Sequence, residues 1–441
     1  MAPYFNTGNA RLQLRTETEN RELFLAIMTP MTRPEAHEGS VGVIQTEYVD
    51  LPEPLVLDCG RVLHPVRIAF ETYGTLTPEK DNVILVCHAL SGDAHAAGWS
   101  AAPMEESALD GFRADERGMA AKSGLGWWDG MIGPGKAFDT NRYFVVATNL
   151  IGGCRGSTGP SSLNPATGNP YGLDFPTLTV ADMVRAERAL LRELGIEKLL
   201  AVSGGSLGGM QAMEWAALFP ESVWSIIPIA STAALDPQGV AWNAIARNAI
   251  MSDPDWQGGY YYGTGRTPKA GMAVARMVGH VTYLSAYSMG EKFGRRLQGR
   301  DDLSYTVTEP DFEVESYLRH QGDKFVRRFD ANTYLYFSRA LSYFDLARQY
   351  GDGSLERAVG GFRAATLLIC FSSDWLYPPS NSSSLAKALE ANGKDVELHM
   401  IEAPYGHDSF LLEEARQTPM IRDFLSRVYY ARREARRFQD G

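Results

Sequence analysis

The run Gly204-Gly205-Ser206-Leu207-Gly208-Gly209 sets one serine between glycines two residues to either side. It follows the apolar stretch Leu199-Leu200-Ala201-Val202 and precedes Met210 to Ala217, which has the composition of a helix. A strand, a tight turn bearing a serine and a helix is the G-x-S-x-G arrangement, in which small neighbours tolerate a strained turn that exposes the hydroxyl. The Leu207 N–H and the helix N-terminus then point at any oxyanion formed there. That is the equipment for acyl chemistry through a covalent serine ester. A phosphate-binding loop would need a lysine just before the hydroxyl residue, and none is present.

A serine nucleophile needs a base, and the base needs an acid to fix its tautomer. Asp374 closes Phe371-Ser372-Ser373-Asp374 after one late apolar run, and His407 follows the next. Both positions match the chain order serine, acid, histidine. Asp345, Asp352 and Glu402 are alternative acids, but none follows a buried strand so closely. His407 is the expected base; the competing reading is a turn histidine ahead of a helix, which Gly406 and Asp408 would also suit. A second oxyanion donor should lie in the loop after an early strand, His88-Ala89-Leu90-Ser91-Gly92, where the N–H of Leu90 is the candidate.

The elements that must position these groups are an apolar alternation at 66–73 and short apolar runs at 83–87, 143–148, 199–202, 225–230, 366–371 and 396–401. Helical patterns such as 180–194 and 382–390 separate them. Such alternation implies a mostly parallel sheet with helices on both faces. Order of structure is expected to begin near Val56. Between Ile229 and Thr366 the strand–helix rhythm stops, and a segment with helix-like spacing reads as an inserted helical lid that would exclude water from an acyl intermediate. The expected organisation is therefore an α/β-hydrolase fold. It comprises a loosely ordered extension at 1–45, a first core part at 46–232, a lid at 233–360, and a second core part with a C-terminal helix at 361–441. Arg432-Arg433-Glu434-Ala435-Arg436-Arg437 reads as the exposed basic end of that helix.

A net charge of −11 over 441 residues argues against nucleic acid as the main partner. Cys59, Cys87, Cys154 and Cys370 are scattered, with no C-x-x-C pair, and suit a reducing compartment. The eight histidines show no metal-ligand spacing; His88 and His95 are seven apart in a loop-like segment, and no metal is expected. There is no run of eighteen apolar residues and no signal-peptide core, and Glu17, Glu19 and Glu22 oppose a transit peptide. The expectation is a cytoplasmic protein that is not associated with a membrane.

Longer blocks narrow the reading. Gly204 to Gln211, His88 to His95, Gly126-Trp127-Trp128-Asp129, Ile132 to Lys136 and Gly152 to Pro160 resemble those of the homoserine O-acetyltransferases. So do Ala275 to His280, Arg328 to Asn332 and Tyr405 to Phe410. The resemblance covers roughly 46–415; residues 1–45 and 101–123 look like additions to the pattern. It implies an acyltransferase of methionine biosynthesis, with no permanently bound cofactor and acetyl-CoA as cosubstrate. Catalysis would be ping-pong: Ser206 takes the acyl group and passes it to the side-chain hydroxyl of L-homoserine, with His407 as base and acid. It also implies a homodimer paired through the lid helices. Taken alone, Arg247 reads as a solvated lid residue and Asp408 as a helix N-cap. The resemblance assigns them to the carboxylate and ammonium of the amino-acid acceptor.

Succinyl-transferring relatives carry a basic residue after the tryptophan of the catalytic-acid loop. Here that loop reads Ser373-Asp374-Trp375-Leu376-Tyr377, and Leu376 cannot pair with a carboxylate, so an acetyl donor is favoured. Arg155 is a cation that could reverse this preference. A succinyl-CoA-dependent transferase and a serine acceptor remain alternatives, and so does an esterase of the same fold with water as acceptor.

Overall fold

The computed structural model describes residues 39–101 and 124–439. Of the additions expected at 1–45 and 101–123, residues 1–38 and 102–123 lie outside the described residues.

Eight strands make the central sheet: β1 (Glu47–Leu51), β2 (Val66–Tyr73), β3 (Val83–Cys87), β4 (Phe144–Thr148), β5 (Ala201–Gly205), β6 (Ser225–Ile229), β7 (Ala365–Phe371) and β8 (Val396–Ile401). Their spatial order is β8-β7-β6-β5-β3-β4-β2-β1. From β4 to β8 every pairing is parallel, while β2 pairs antiparallel with both β4 and β1. The sequence of the inner strands explains their place. Val83, Leu85 and Cys87 enter one core and Ile84 and Val86 the other, so both faces of β3 are covered and no polar alternation survives.

Helix α1 (Val180–Glu193) and helix α2 (Leu207–Leu218) pack on one face. A capping box at Thr179 and Asp182 starts α1. Helix α2 is buried from Leu207 to Ala216 and is accordingly mostly apolar, with Gln211 and Glu214 as its buried polar residues. From β6 to β7 the chain runs through helices only. These are α3 (Pro237–Met251), α4 (Lys269–Tyr283), α5 (Ala286–Phe293), α6 (Glu313–Arg328), α7 (Ala331–Tyr343), α8 (Leu346–Tyr350) and α9 (Leu355–Val359), with one 3-10 turn at Pro254–Gly259. Helix α4 packs against both α3 and α6, and α3 against α7. Helix α10 (Pro379–Ala391) links β7 to β8; after β8 come the short α11 (Ser409–Leu412) and the long α12 (Glu414–Gln439). Phe424, Leu425 and Val428 of α12 fill the second core.

Ordered structure begins earlier than Val56. Val43–Ile44 pairs with Trp99–Ser100, and β1 forms the sheet edge. Edge strand β1 reads Glu-Tyr-Val-Asp-Leu and buries only Leu51 fully, so it carries no apolar alternation to read. Cys87 and Cys370 are buried, Cys154 is half-buried, Cys59 is exposed, and all four are free thiols.

Candidate active site

Ser206 stands where β5 turns into α2, at φ 58° and ψ −119°. A non-glycine residue is seldom found there and costs roughly 1–3 kcal/mol, so the surroundings must enforce it. They do so by close approach. A Cβ on Gly204 or Gly208 would lie 2.4 or 2.2 Å from the Cys87 carbonyl oxygen, so only glycine lets the elbow press against the end of β3. The Ser206 N–H donates to the Ile229 carbonyl, and Ser231 Oγ donates to the Ser206 carbonyl.

The loop after β3 is pegged by His88. Its Nδ1–H donates to the Ala89 carbonyl at 2.6 Å and its Nε2 accepts the Leu150 N–H at 3.2 Å, which fixes the neutral tautomer. Burial also pushes this imidazole below its ordinary pKa. Gln211 of α2 donates to the His88 carbonyl, tying loop to elbow. Leu90 shares a cavity wall with Ser206, Leu207 follows Ser206 as the first residue of α2, and neither N–H has a hydrogen-bond partner among the described residues. His95, the other histidine of the segment, bonds Glu71 and the Gly124 carbonyl. Among the described residues no cluster of His, Cys, Asp and Glu could hold a metal.

Asp374 and His407 meet as the sequence suggests. Asp374 Oδ2 lies 2.8 Å from His407 Nδ1, and Oδ1 accepts the N–H groups of Leu376 at 3.0 Å and Tyr377 at 2.9 Å. Burial works to lower the His407 pKa, but the charge and hydrogen bond of Asp374, with the charge of Asp408, hold it above its ordinary value. The histidine turn is clamped to the lid. Ser285 and Ser288 both donate to the Pro404 carbonyl, the Gly406 N–H donates to Ser373 Oγ, and Trp375 Nε1 donates to the Leu284 carbonyl. At Gly406, φ is 73° and an added Cβ would meet the Ser285 nitrogen and Tyr283 oxygen at 2.6 Å.

Two cavities open on Ser206. The larger, about 460 Å³, has Leu90, Leu235, Trp242, Asn243, Tyr283 and Leu376 among its lining residues, together with Tyr377. The smaller, about 290 Å³, is lined by Leu90, Tyr283, His407, Asp408 and Phe410 among others. Asp408 and Leu376 are therefore at the site. Arg247 is in neither lining: its Nη1 donates to the Ser338 carbonyl at 3.0 Å and to Ser342 Oγ at 3.3 Å. Burial, together with the charge of Arg339, pulls its pKa below the ordinary value.

Other groups at the site carried no functional assignment from sequence. Arg276 of α4 places its guanidinium 5.7 Å from the Tyr283 ring centroid and 4.9 Å from that of Phe325. Arg328 lies over Phe325 as well and donates to the Ser91 carbonyl; burial, then Arg276 and Arg155, lower its pKa to about 9. Burial raises the Tyr283 pKa, Arg276 and Arg328 oppose it and Asp408 adds to it, so charges of both signs converge on this ring. The blocks Ala275 to His280 and Arg328 to Asn332 were the available signal for both arginines. Tyr377 had none beyond its place two residues after Trp375.

Comparison with known proteins agrees with this geometry. The model of the α/β hydrolase fold family matches residues 82–414. The homoserine O-acetyltransferase of Solidesulfovibrio magneticus is 50% identical over 392 residues, 88% of this chain and 94% of that protein. Among solved structures, homoserine O-acetyltransferase from Bacillus anthracis superposes with a TM-score of 0.77 at 30% identity, covering 87% of this chain and 98% of the other. The esterase E22 superposes at 0.74 with 31% identity, covering 87% and 100%. A catalytic-type elbow on a covered parallel sheet, matched over most of its length by these proteins, means that the chain belongs to the homoserine O-acetyltransferase family of the α/β hydrolase fold.

Proposed function

We propose that the protein transfers an acetyl group from acetyl-CoA to the side-chain hydroxyl of L-homoserine, a cytoplasmic step toward methionine. The observation that carries the reading is the strained Ser206 sharing one cavity wall with His407, itself bonded to Asp374. Ser206 Oγ attacks the thioester carbonyl and its proton passes to His407 Nε2. The oxyanion lies between the Leu90 and Leu207 N–H groups. The C–S bond breaks and His407 returns the proton to the departing thiolate. The homoserine hydroxyl then attacks the Ser206 ester, giving its proton to His407, which protonates Ser206 Oγ as the new ester leaves.

The acceptor is a zwitterion. Asp408 is placed to receive its ammonium group. For its carboxylate we favour Arg276, whose guanidinium lies 5.7 Å from the ring centroid of the cavity-lining Tyr283, over Arg247, whose fork is turned to Ser338 and Ser342, although neither of these arginines itself lines either cavity. Among the described residues no lysine or arginine lines the larger cavity, so a succinyl carboxylate there would find no counter-ion in that wall. That supports an acetyl donor. Exposed Ile245, Val274 and Val281 on α3 and α4 support pairing of two copies through the lid.

The likeness to an esterase keeps hydrolysis as the second reading, since water can attack the same Ser206 ester. Thiol release from acetyl-CoA and succinyl-CoA, each with L-homoserine, L-serine or neither, separates the readings. Homoserine-dependent release from acetyl-CoA is expected. Equal release without an acceptor would make the protein a hydrolase.

A further inference from the structure

The two cavities that open on Ser206 differ in charge. Among the described residues no Lys, Arg, His, Asp or Glu lines the larger one, and its polar residues, Trp242, Asn243, Thr282 and Tyr334 among them, are neutral. The smaller holds both His407 and Asp408. The two linings have Leu90, Ser206 and Tyr283 in common, so the cavities meet at the nucleophile and share a wall at Tyr283. That wall is held in place. Tyr283 closes α4, and its ring centroid lies 6.0 Å from that of the His407 imidazole. The Leu284 carbonyl accepts from Trp375 Nε1 at 2.9 Å, and Gly406 packs so close that an added Cβ would lie 2.6 Å from the Tyr283 carbonyl oxygen.

The two substrates sort by the same property. Next to its thioester an acyl-CoA is an uncharged chain bearing amides, and its phosphates stand at the far end. An amino acid is a zwitterion. Burying an ion without an opposite charge is costly, so the neutral cavity suits the thioester arm and the charged one the amino acid. Asn243 has capacity for an amide of the arm. Its Nδ2 makes only long contacts of 3.4 Å to the Ser338 carbonyl and Ser342 Oγ, and its Oδ1 has no hydrogen-bond partner among the described residues. In the smaller cavity His407 stands in the wall, where a base must be to take the proton of an acceptor hydroxyl.

We infer that acyl donor and amino acid occupy different cavities, the thioester arm the larger and L-homoserine the smaller, so that the acceptor takes its place while the thiol is still bound. The inference rests on the reading of Ser206 as the carrier of the acetyl group. The ester stays at Ser206, where the cavities meet. The donor carbonyl reaches it through the neutral cavity and the acceptor hydroxyl through the charged one. An amino acid already in place also fills the space from which water would attack the ester, so transfer prevails over hydrolysis.

The test uses the native full-length protein with free CoA and L-homoserine, which carry no acyl group between them and so do not react. Homoserine binding is read by saturation-transfer NMR, without CoA and at saturating CoA. The homoserine signal should be present with CoA bound, at a dissociation constant that is unchanged or lower. A signal lost as CoA is added, or a dissociation constant that rises in proportion to CoA, overturns the proposal, because it means one shared site. No homoserine signal in either condition overturns it too, since the smaller cavity is open in the free protein. Asp408→Asn should lose the homoserine signal and keep CoA binding; a retained signal takes the amino acid out of the smaller cavity. Should that variant not fold, the native experiment still decides. Asn243→Leu should lower kcat/KM for acetyl-CoA about fivefold, as for one neutral hydrogen bond, and change that for homoserine by less than about twofold. An unchanged value for acetyl-CoA, or the opposite split, overturns the placement of the arm. Thiol release that does not depend on homoserine would defeat the transferase reading instead and leave the binding result standing.

Discussion

Asp374 Oδ2 lies 2.8 Å from His407 Nδ1, and the other oxygen of the same carboxylate is fixed by two backbone N–H groups of its own loop. The acid is thus oriented by the backbone before it orients the histidine. Asp374→Asn keeps the shape but loses the charge and can favour the wrong imidazole tautomer. A fall in kcat on the order of 10⁴ is expected, as when this substitution is made in a serine protease triad. The pH dependence has a definite sign. Asp374 helps to hold the His407 pKa up, and the base works only when neutral. The ascending limb of kcat/KM should therefore move to lower pH in the variant, read from a pH–rate profile.

Ser206 sits at φ 58°, where a side chain is strained. Two substitutions separate strain from chemistry. Ser206→Ala should abolish transfer with little change in stability, since alanine bears the same strain. Ser206→Gly should abolish transfer and stabilise the fold by about 1 kcal/mol, because glycine adopts this conformation freely. Denaturant midpoints of the three proteins check this. Transfer at the native rate by Ser206→Ala would remove the mechanism.

The elbow's glycines offer a structural counterpart. At Gly208 an added Cβ would lie 2.2 Å from the Cys87 carbonyl oxygen and 3.0 Å from its carbon, atoms of the backbone of β3 that cannot swing away. Gly208→Ala should cost about 2–4 kcal/mol. It should also lower kcat, since the displaced β3 end carries the loop with Leu90. Urea unfolding and steady-state kinetics measure the two effects.

What could be read in the sequence was what is local or ordered along the chain. The elbow is one contiguous motif, and Asp374 follows the buried strand β7 while His407 follows the edge strand β8, of which only Ile401 is buried, so chain order alone brought them together. The lid side chains could not be read so. Whether Arg247 or Arg276 faces Ser206 depends on how α3 turns against α7, where Ser338 and Ser342 claim the Arg247 fork. Tyr283 and Tyr377 look like core aromatics until the fold sets them around His407. Edge strand β1 escaped because it buries too little to show a period.

Arg276 and Arg247 accordingly make a paired prediction. Arg276→Ala should raise KM for homoserine by about 30-fold, the equivalent of roughly 2 kcal/mol for a charge-assisted contact, with a smaller effect on KM for the acyl donor. Arg247→Ala removes hydrogen bonds that join α3 to α7, and it should lower the thermal midpoint more than it changes KM. The reverse pattern would return the carboxylate to Arg247.

Leu376 tests donor choice directly, because it lines the larger cavity, where no lysine or arginine stands among the described residues. Leu376→Arg should introduce measurable succinyl transfer and reduce acetyl transfer, assayed as thiol release with product masses. If succinyl-CoA is already used well by the native protein, a cation outside this wall reaches the acyl group.

Away from the chemistry, His95 gives a pH-dependent stability. Its Nδ1 lies 2.9 Å from Glu71 Oε2, a carboxylate that also accepts from Tyr73 and Thr46, and its Nε2 meets the Gly124 carbonyl. Burial opposes protonation, but the hydrogen bond and charge of Glu71, aided by Asp93, raise the His95 pKa to about 9. The folded value exceeds the unfolded one, so the ion pair's contribution is fully present below about pH 6.5 and is lost as pH rises toward 9. The loss should be on the order of 1–3 kcal/mol. His95→Gln, which cannot carry the charge, should flatten that part of the curve, measured as urea stability of both proteins between pH 6 and about 9.5. A native curve that does not fall over this interval, or one matched by the glutamine variant, would mean that the pair is not ionised in the fold.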